Sequence, residues 1–227
     1  MSPQNINLDW DSIDTVLLDM DGTLLDLHFD FYFWTLHLPQ IYNQKHHGDL
    51  QQTTRYIAER LAEKQGCLEW YCTDYWSQQF DLNIIQAQAE VKHLIQERPM
   101  VIGFLNSLGA HQKNRVLITN SDRPSIELKF ANSAIEPLLD QVISSHDYRA
   151  AKEDQQFWQI LEKNLDFDPA TTLFIDDSES VLDSAHQYGI KHLLSIKQPI
   201  STQPREDISQ YPMIDDFSSL IGVQTHG

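Results

Sequence analysis

The chain reads as an α/β protein: a Rossmann-like parallel sheet with helices on both faces, interrupted by an all-helical insertion. Three observations predict it. First, short aliphatic and β-branched runs stop at polar residues at Thr15–Leu18, Arg115–Thr119 and Thr172–Ile175. Apolar runs of that length suit strands covered on both faces. Second, from Pro99 onward such runs alternate with helix-period stretches, the pattern of a parallel sheet wound on both sides. Third, the stretch between the first two runs differs in character, with twelve of the chain's 23 aromatic residues falling between Phe29 and Phe80.

In chain order, the first strand ends at Asp19-Met20-Asp21-Gly22-Thr23, where glycine lets the backbone turn. An ordinary Asp-Gly turn is the commoner outcome of that dipeptide taken alone. The insertion should hold three or four helices. Thr53/Thr54 could cap one that carries Ile57 and Leu61. Leu68, Tyr71, Cys72, Tyr75 and Trp76 keep the spacing of a single second helix, and Ile84, Ala87, Val91, Leu94 and Ile95 that of a third. His46-His47-Gly48-Asp49 reads as a polar loop. Beyond it, Met100–Leu108 should be a helix stopped by Gly109, and Ser121/Asp122 with Pro124 should open another. Leu138–Ser145 reads as a third strand, Asp154–Leu165 as a helix, Val181–Tyr188 as a helix stopped by Gly189, and Ile190–Ile196 as a fifth strand. The tail, Lys197–Gly227, should be irregular with one short helix near Phe217–Ile221.

Composition narrows the function. Sixteen Lys+Arg against 33 Asp+Glu give a net charge of −17. That argues against duplex nucleic acid or an anionic membrane as partner, since both need a basic face. A small phosphorylated substrate stays compatible, because a metal and one or two cations can meet its charge locally. No apolar run reaches membrane-spanning length, and the start lacks the order of a signal peptide, so a cytoplasmic location is expected. The two cysteines, Cys67 and Cys72, cannot build a disulfide framework and should be buried or half-buried thiols.

Three strand ends carry polar groups that one sheet edge would gather: Asp19 and Asp21, then Thr119 and Asn120, then Asp176 and Asp177. Ligand chemistry collects at the carboxyl edge of such sheets. Singly each has a plainer reading, such as a turn, a helix cap or, for Lys152, a solvated surface lysine. In this order, together, coincidence is improbable. Asp19, Asp21, Asp176 and Asp177 with Lys152 sum to −3. Each like-charge pair at about 4 Å costs on the order of 4 kcal/mol at an effective dielectric near 20. A divalent cation and a proton on Asp21 would bring the sum to zero and admit a phosphate. Hard oxygen ligands suit Mg²⁺ better than zinc, so the residues point to metal-assisted phosphoryl transfer.

This set of motifs resembles the haloacid dehalogenase (HAD) superfamily of aspartyl phosphatases. Asp19-Met20-Asp21-Gly22-Thr23 looks like its first motif, Leu117-Ile118-Thr119-Asn120 its second, Lys152 its third and Ile175-Asp176-Asp177-Ser178 its fourth. The resemblance implies a HAD-like core over residues 1–26 and 97–227, and a helical C1 cap over 27–96 that selects substrate. It implies Asp19 as nucleophile and metal ligand, and Asp21 as general acid and base with its carbonyl on the metal. Thr119 and Asn120 would bind phosphate, Lys152 would neutralise charge, and Asp176 and Asp177 would serve the Mg²⁺. Leu17 to Asp26, Trp70-Tyr71-Cys72 with Asp74-Tyr75-Trp76, and Lys152-Glu153-Asp154-Gln155 are similar to bacterial GMP/IMP 5′-nucleotidases. The implied substrate is then a purine nucleoside monophosphate. Aromatic rings to stack on the base would come from Phe29, Tyr32, Trp34, Trp70, Tyr71, Tyr75 and Trp76. Arg149-Ala150-Ala151 replaces the Gly and Pro often found before the third-motif lysine, and Arg149 could add a phosphate contact. A sugar-phosphate phosphatase, a phosphomutase or a non-catalytic binding protein on the same fold are the alternative readings.

Overall fold

Alternation within each strand decides how the sheet is covered. Val16 and Leu18 face one side and Leu17 the other; Leu117 opposes Val116 and Ile118; Leu173 and Ile175 oppose Phe174. All are buried, so both faces must be covered. The computed structural model describes residues 8–205 and 209–221. Its sheet has six parallel strands: β1 (Thr15–Leu18), β2 (Asn114–Thr119), β3 (Gln141–Ser144), β4 (Thr172–Asp176), β5 (His192–Ile196) and β6 (Met213–Ile214), in the order 3-2-1-4-5-6.

Every element between β1 and β2 is helical. α1 (His28–Tyr32) runs through a π turn at Phe33–His37 into α2 (Leu38–His46). Pro39 lacks the N–H that would continue the ladder to Thr35, which suits a looser turn just before it. α3 (Leu50–Ala62), α4 (Thr73–Phe80) and α5 (Ile84–Glu90) follow, and α6 (Val101–Ala110) leads back to the sheet. Phe29, Phe33, Leu38, Ile57, Trp76, Phe80 and Ile84 make one apolar cluster with the α6 face of the sheet. The second half adds α7 (Arg123–Phe130), a single turn α8 (Ser145–Tyr148), α9 (Gln155–Leu165) and α10 (Glu179–Tyr188). α9 and α10 cover the other face through Phe157, Trp158, Leu161, Val181, Leu182 and Ala185. Among the described residues no helix is long and apolar enough to cross a membrane.

Several boundaries differ from expectation, each for a local reason. α3 is capped by Asp49, which accepts from Gln52 N–H at 2.9 Å, so Thr53 and Thr54 lie inside the helix rather than at its cap. The expected single helix over 68–76 is broken at Cys72, whose extended backbone separates a 3₁₀ turn at Leu68–Tyr71 from α4. The third stretch ends as a helix at Glu90 and continues as a 3₁₀ turn at Lys92–Leu94. Gly109 does not stop α6; it lies within it, where a Cβ would come 2.5 Å from Arg115 Nη1. His46 closes α2 instead of lying in a loop, and Glu136–Leu138 forms a 3₁₀ turn ahead of a shorter β3. Cys67 is exposed and Cys72 half-buried. Part of the tail lies outside the described residues, yet Met213–Ile214 pairs with β5 as a sixth strand. Phe217 then enters the core beside Phe104, ring centroids 4.9 Å apart.

That contact gives the tail a measurable energetic role. Truncating a fully buried Phe costs about 3–5 kcal/mol. Phe217→Ala should therefore lower the urea midpoint clearly while leaving the residues at the carboxyl ends of the strands in place; a change of a few tenths of a kcal/mol would mean that the tail is not docked.

Candidate active site

The strand order reverses between β1 and β4, because β2 and β3 lie to one side of β1 and β4 to β6 to the other. Such a switch point opens a crevice at the carboxyl ends of the strands. Asp19 follows β1, and its N–H donates to Ile175 O of β4 at 3.0 Å. Asp176 closes β4, so Asp19, Asp176 and Asp177 each offer a carboxylate oxygen within 4.8 Å of the others. Gly22 makes this approach possible. Its φ is +87°, and a Cβ there would meet Asp177 Oδ2 at 2.5 Å.

Lys152 enters from the loop between α8 and α9. Its Nζ donates to Asp19 Oδ1 at 2.6 Å, Asp176 Oδ2 at 2.7 Å and Ile118 O at 3.2 Å. The loop is pinned on both sides of the lysine: Lys152 N–H donates to Asn120 Oδ1, and Trp158 Nε1 donates to Lys152 O, both at 2.9 Å. Burial disfavours the charged lysine, yet the Asp176 and Asp19 carboxylates outweigh it and raise its pKa. Burial is also the largest effect on Asp19, lifting it to about 7 against the pull of Lys152. Asp177 is driven well above the usual carboxylate range by burial, then by the charges of Asp176 and Asp19.

Asp21, half-buried, is held by two groups that sequence reasoning did not assign. Ser121 Oγ donates to its Oδ2 at 2.7 Å and Lys129 Nζ to its Oδ1 at 2.6 Å. Lys129, 1% exposed, also donates to both oxygens of Asp30 on α1 at 3.0 Å. The available signal was weak: Lys129 follows the buried Ser125 and Ile126 by four and three residues, on the inward face of α7. Adding Asp30 and Lys129 to the earlier count leaves the sum at −3. With only oxygen donors converging and that charge uncompensated, the Asp19, Asp176 and Asp177 group fits a hard divalent cation.

The second-motif residues are in place, although the Asn120 side chain is engaged. Thr119 Oγ1 accepts from Ser121 N–H at 3.0 Å, and Asn120 Nδ2 donates to Glu153 Oε2 at 2.9 Å. Glu153 Oε1 accepts from Tyr71 OH at 2.7 Å, tying the insertion to the lysine loop. A second tie joins Thr73, through both N–H and Oγ1, to Asp122 Oδ2 at 2.6 Å. Arg149 is exposed and absent from the cavity wall. It takes the left-handed backbone (φ 55°) that a glycine would adopt there, which is how the loop dispenses with one.

A cavity of about 510 Å³ lies over these groups, within the roughly 300–1,000 Å³ range of small-molecule sites. Asp19, Asp21, Thr119, Asn120, Lys152 and Asp177 line one side; Phe31, Trp34, Trp70 and Tyr71 line the side formed by the insertion. Of the aromatic candidates, Trp34, Trp70 and Tyr71 reach the wall. Phe29 and Trp76 do not: both are buried, and Trp76 stacks on Phe80 at 5.4 Å and donates from Nε1 to Trp70 O. Tyr32 and Tyr75 are likewise outside the wall, whereas Phe31, not singled out from sequence, is part of it.

Residues 13–189 match the family described as haloacid dehalogenase-like hydrolase, and the chain belongs to that family of enzymes. More particularly, it is similar to the GMP/IMP nucleotidase YrfG of Escherichia coli (strain K12). The two are 37% identical over 217 residues, covering 96% of this chain and 98% of that protein; the Shigella flexneri protein of the same name matches equally. Among solved structures, a HAD phosphatase from Thermococcus onnurineus superposes with a TM-score of 0.75 at 20% identity, covering 92% of this chain and 96% of that one. An L-2-haloacid dehalogenase from Xanthobacter autotrophicus gives 0.55 at 17%, covering 82% and 78%. At these identities the two structures speak for the fold alone.

Gly22 allows a direct check of the geometry. A left-handed alanine costs about 1–2 kcal/mol before any clash, and here Asp177 must also move. Gly22→Ala should lower unfolding stability by at least that amount in urea titrations, and an unchanged midpoint would show that the loop does not hold this conformation.

Proposed function

We propose that the protein is a Mg²⁺-dependent phosphomonoesterase acting through an aspartyl-phosphate, and that its substrates are purine nucleoside 5′-monophosphates. The observation that carries the reading is the convergence of Asp19, Asp177 and Lys152 beside Asp21, under an aromatic-walled cavity. The similarity to a GMP/IMP nucleotidase over nearly the whole chain supports the choice of substrate.

In this reading Asp19 attacks phosphorus, with Lys152 at 2.6 Å holding the carboxylate in place and favouring its ionised form. Asp21, aimed by Ser121 and Lys129, protonates the departing 5′-oxygen and then takes a proton from the water that cleaves the aspartyl-phosphate. Asp19, Asp177, the Asp21 carbonyl and, within reach, Asp176 would hold Mg²⁺, which when bound would offset the phosphate charge. Thr119 lies at the phosphate end. Asn120 would contribute there largely by fixing Lys152 and Glu153. The helical insertion would serve as the cap that selects the leaving group.

Inorganic phosphate release from a panel of nucleoside monophosphates and sugar phosphates tests the chemistry. Release should be fastest on GMP and IMP, abolished by EDTA and restored by Mg²⁺. Asp19→Asn should remove turnover, because an amide cannot attack phosphorus, and Asp21→Asn should slow it severely. Retained activity in Asp19→Asn would overturn the mechanism; a preference for sugar phosphates would overturn the substrate. For the cap, stacking is worth about 1–3 kcal/mol per base. Trp34→Ala should then raise KM for GMP several-fold more than for p-nitrophenyl phosphate, while an equal rise for both would assign Trp34 to packing.

A further inference from the structure

We propose that Gln88 is a base-binding residue, the polar anchor for the nucleobase; this rests on the nucleotidase reading and adds to it the residue that meets the base. Gln88 lies on α5, is 1% exposed and lines the cavity that holds Asp19. Its Oε1 is buried and, among the described residues, has no hydrogen-bond partner. Six other buried polar atoms share that condition, on Thr23, Arg98, Ser133, Ser145, His146 and His192, and none of those residues lines the cavity. A buried amide oxygen left unmet is destabilising, so natural structures nearly always satisfy it.

The neighbours sharpen the point. Ile84, Ala87 and Val91 on the same segment belong to the apolar cluster, so packing alone would be served by a leucine at position 88. The Gln88 amide oxygen meets no partner among the described residues. Gln88 lies in the lining of a cavity whose aromatic wall, Trp34, Trp70 and Tyr71, suits a flat heterocycle.

A carboxamide presents one acceptor and two donors. The N1–H and O6 edge of a 6-oxopurine presents the complementary donor and acceptor. Turned over about its terminal torsion, the same amide meets a 6-amino edge. Gln88 therefore binds the base without itself choosing between oxo and amino. Lys152 and Thr119 already stand at the phosphate end of the cavity, so the amide is assigned to the base or to a ribose hydroxyl, and the experiment separates these.

Gln88→Leu keeps the volume and removes the polar group. Steady-state kinetics would be measured on IMP, GMP, ribose 5-phosphate and p-nitrophenyl phosphate, together with thermal unfolding of the substrate-free protein. The expected result is a fall of about 10–100-fold in kcat/KM for IMP and GMP, carried by KM, with the two baseless esters little changed. The unfolding midpoint should stay level or rise, because an unmet acceptor has gone. An equal loss on ribose 5-phosphate would overturn the inference, as would unchanged nucleotide kinetics or a lowered midpoint. Wild-type protein that handles IMP no better than ribose 5-phosphate would sink the nucleotidase reading itself. A wild-type preference that survives in Gln88→Leu would sink the Gln88 assignment alone.

Discussion

Lys152 lies between Asp19 and Asp176, two carboxylates on the ends of adjacent strands that would otherwise face each other across the switch point. Each is buried, and burial works against every charge in the group. For Lys152 the attraction of the two carboxylates outweighs burial because both lie within hydrogen-bond distance, whereas for Asp19 and Asp176 burial prevails and their pKa values rise. The loop that delivers Lys152 is accordingly fixed by contacts from three directions: Asn120 from the end of β2, Trp158 from α9, and Ile118 O from β2 itself. Strand ends, loop and lysine are thus joined into one unit by direct hydrogen bonds.

A second ion group extends that unit into the insertion. Lys129 stands between Asp21 and Asp30, one residue on the core side of the cavity and one on the helical side. Thr73–Asp122 and Tyr71–Glu153 repeat the arrangement with hydrogen bonds. The polar ties border a cavity with carboxylates on one side and Phe31, Trp34 and Trp70 on the other, so the same contacts that fasten the two parts also set the distance between those carboxylates and the aromatic faces. The apolar cluster runs unbroken from Phe29 and Trp76 to the sheet, which gives the ties a stiff support.

The strands and the motif residues were legible because their signals are local. Four-residue apolar runs and strand-end carboxylates can be read within a window of ten residues. Helix boundaries were less so, since they hinge on single capping contacts: Asp49 rather than Thr53, and the extended Cys72 that divides one apparent helix into two. The aromatic residues of the insertion could not be sorted at all by spacing. Trp34 and Trp76 carry the same chemistry, and only packing sends Trp76 into the interior and Trp34 to the cavity.

By itself, then, the sequence determined the α/β class, the order of four motifs and an uncompensated negative charge that calls for a cation. All three follow from residue type and near-neighbour spacing. Tertiary structure alone decided that Lys129 serves Asp21, that Asn120 spends its side chain on Lys152 and Glu153, and that Gln88 lines the cavity with its buried acceptor unmet among the described residues. The three pairs are separated by 108, 32 and 33 residues, and a contact across such a gap is set by how helices and loops pack on the sheet. No periodicity in the chain encodes it, because the packing energy belongs to the assembled faces and not to any one segment.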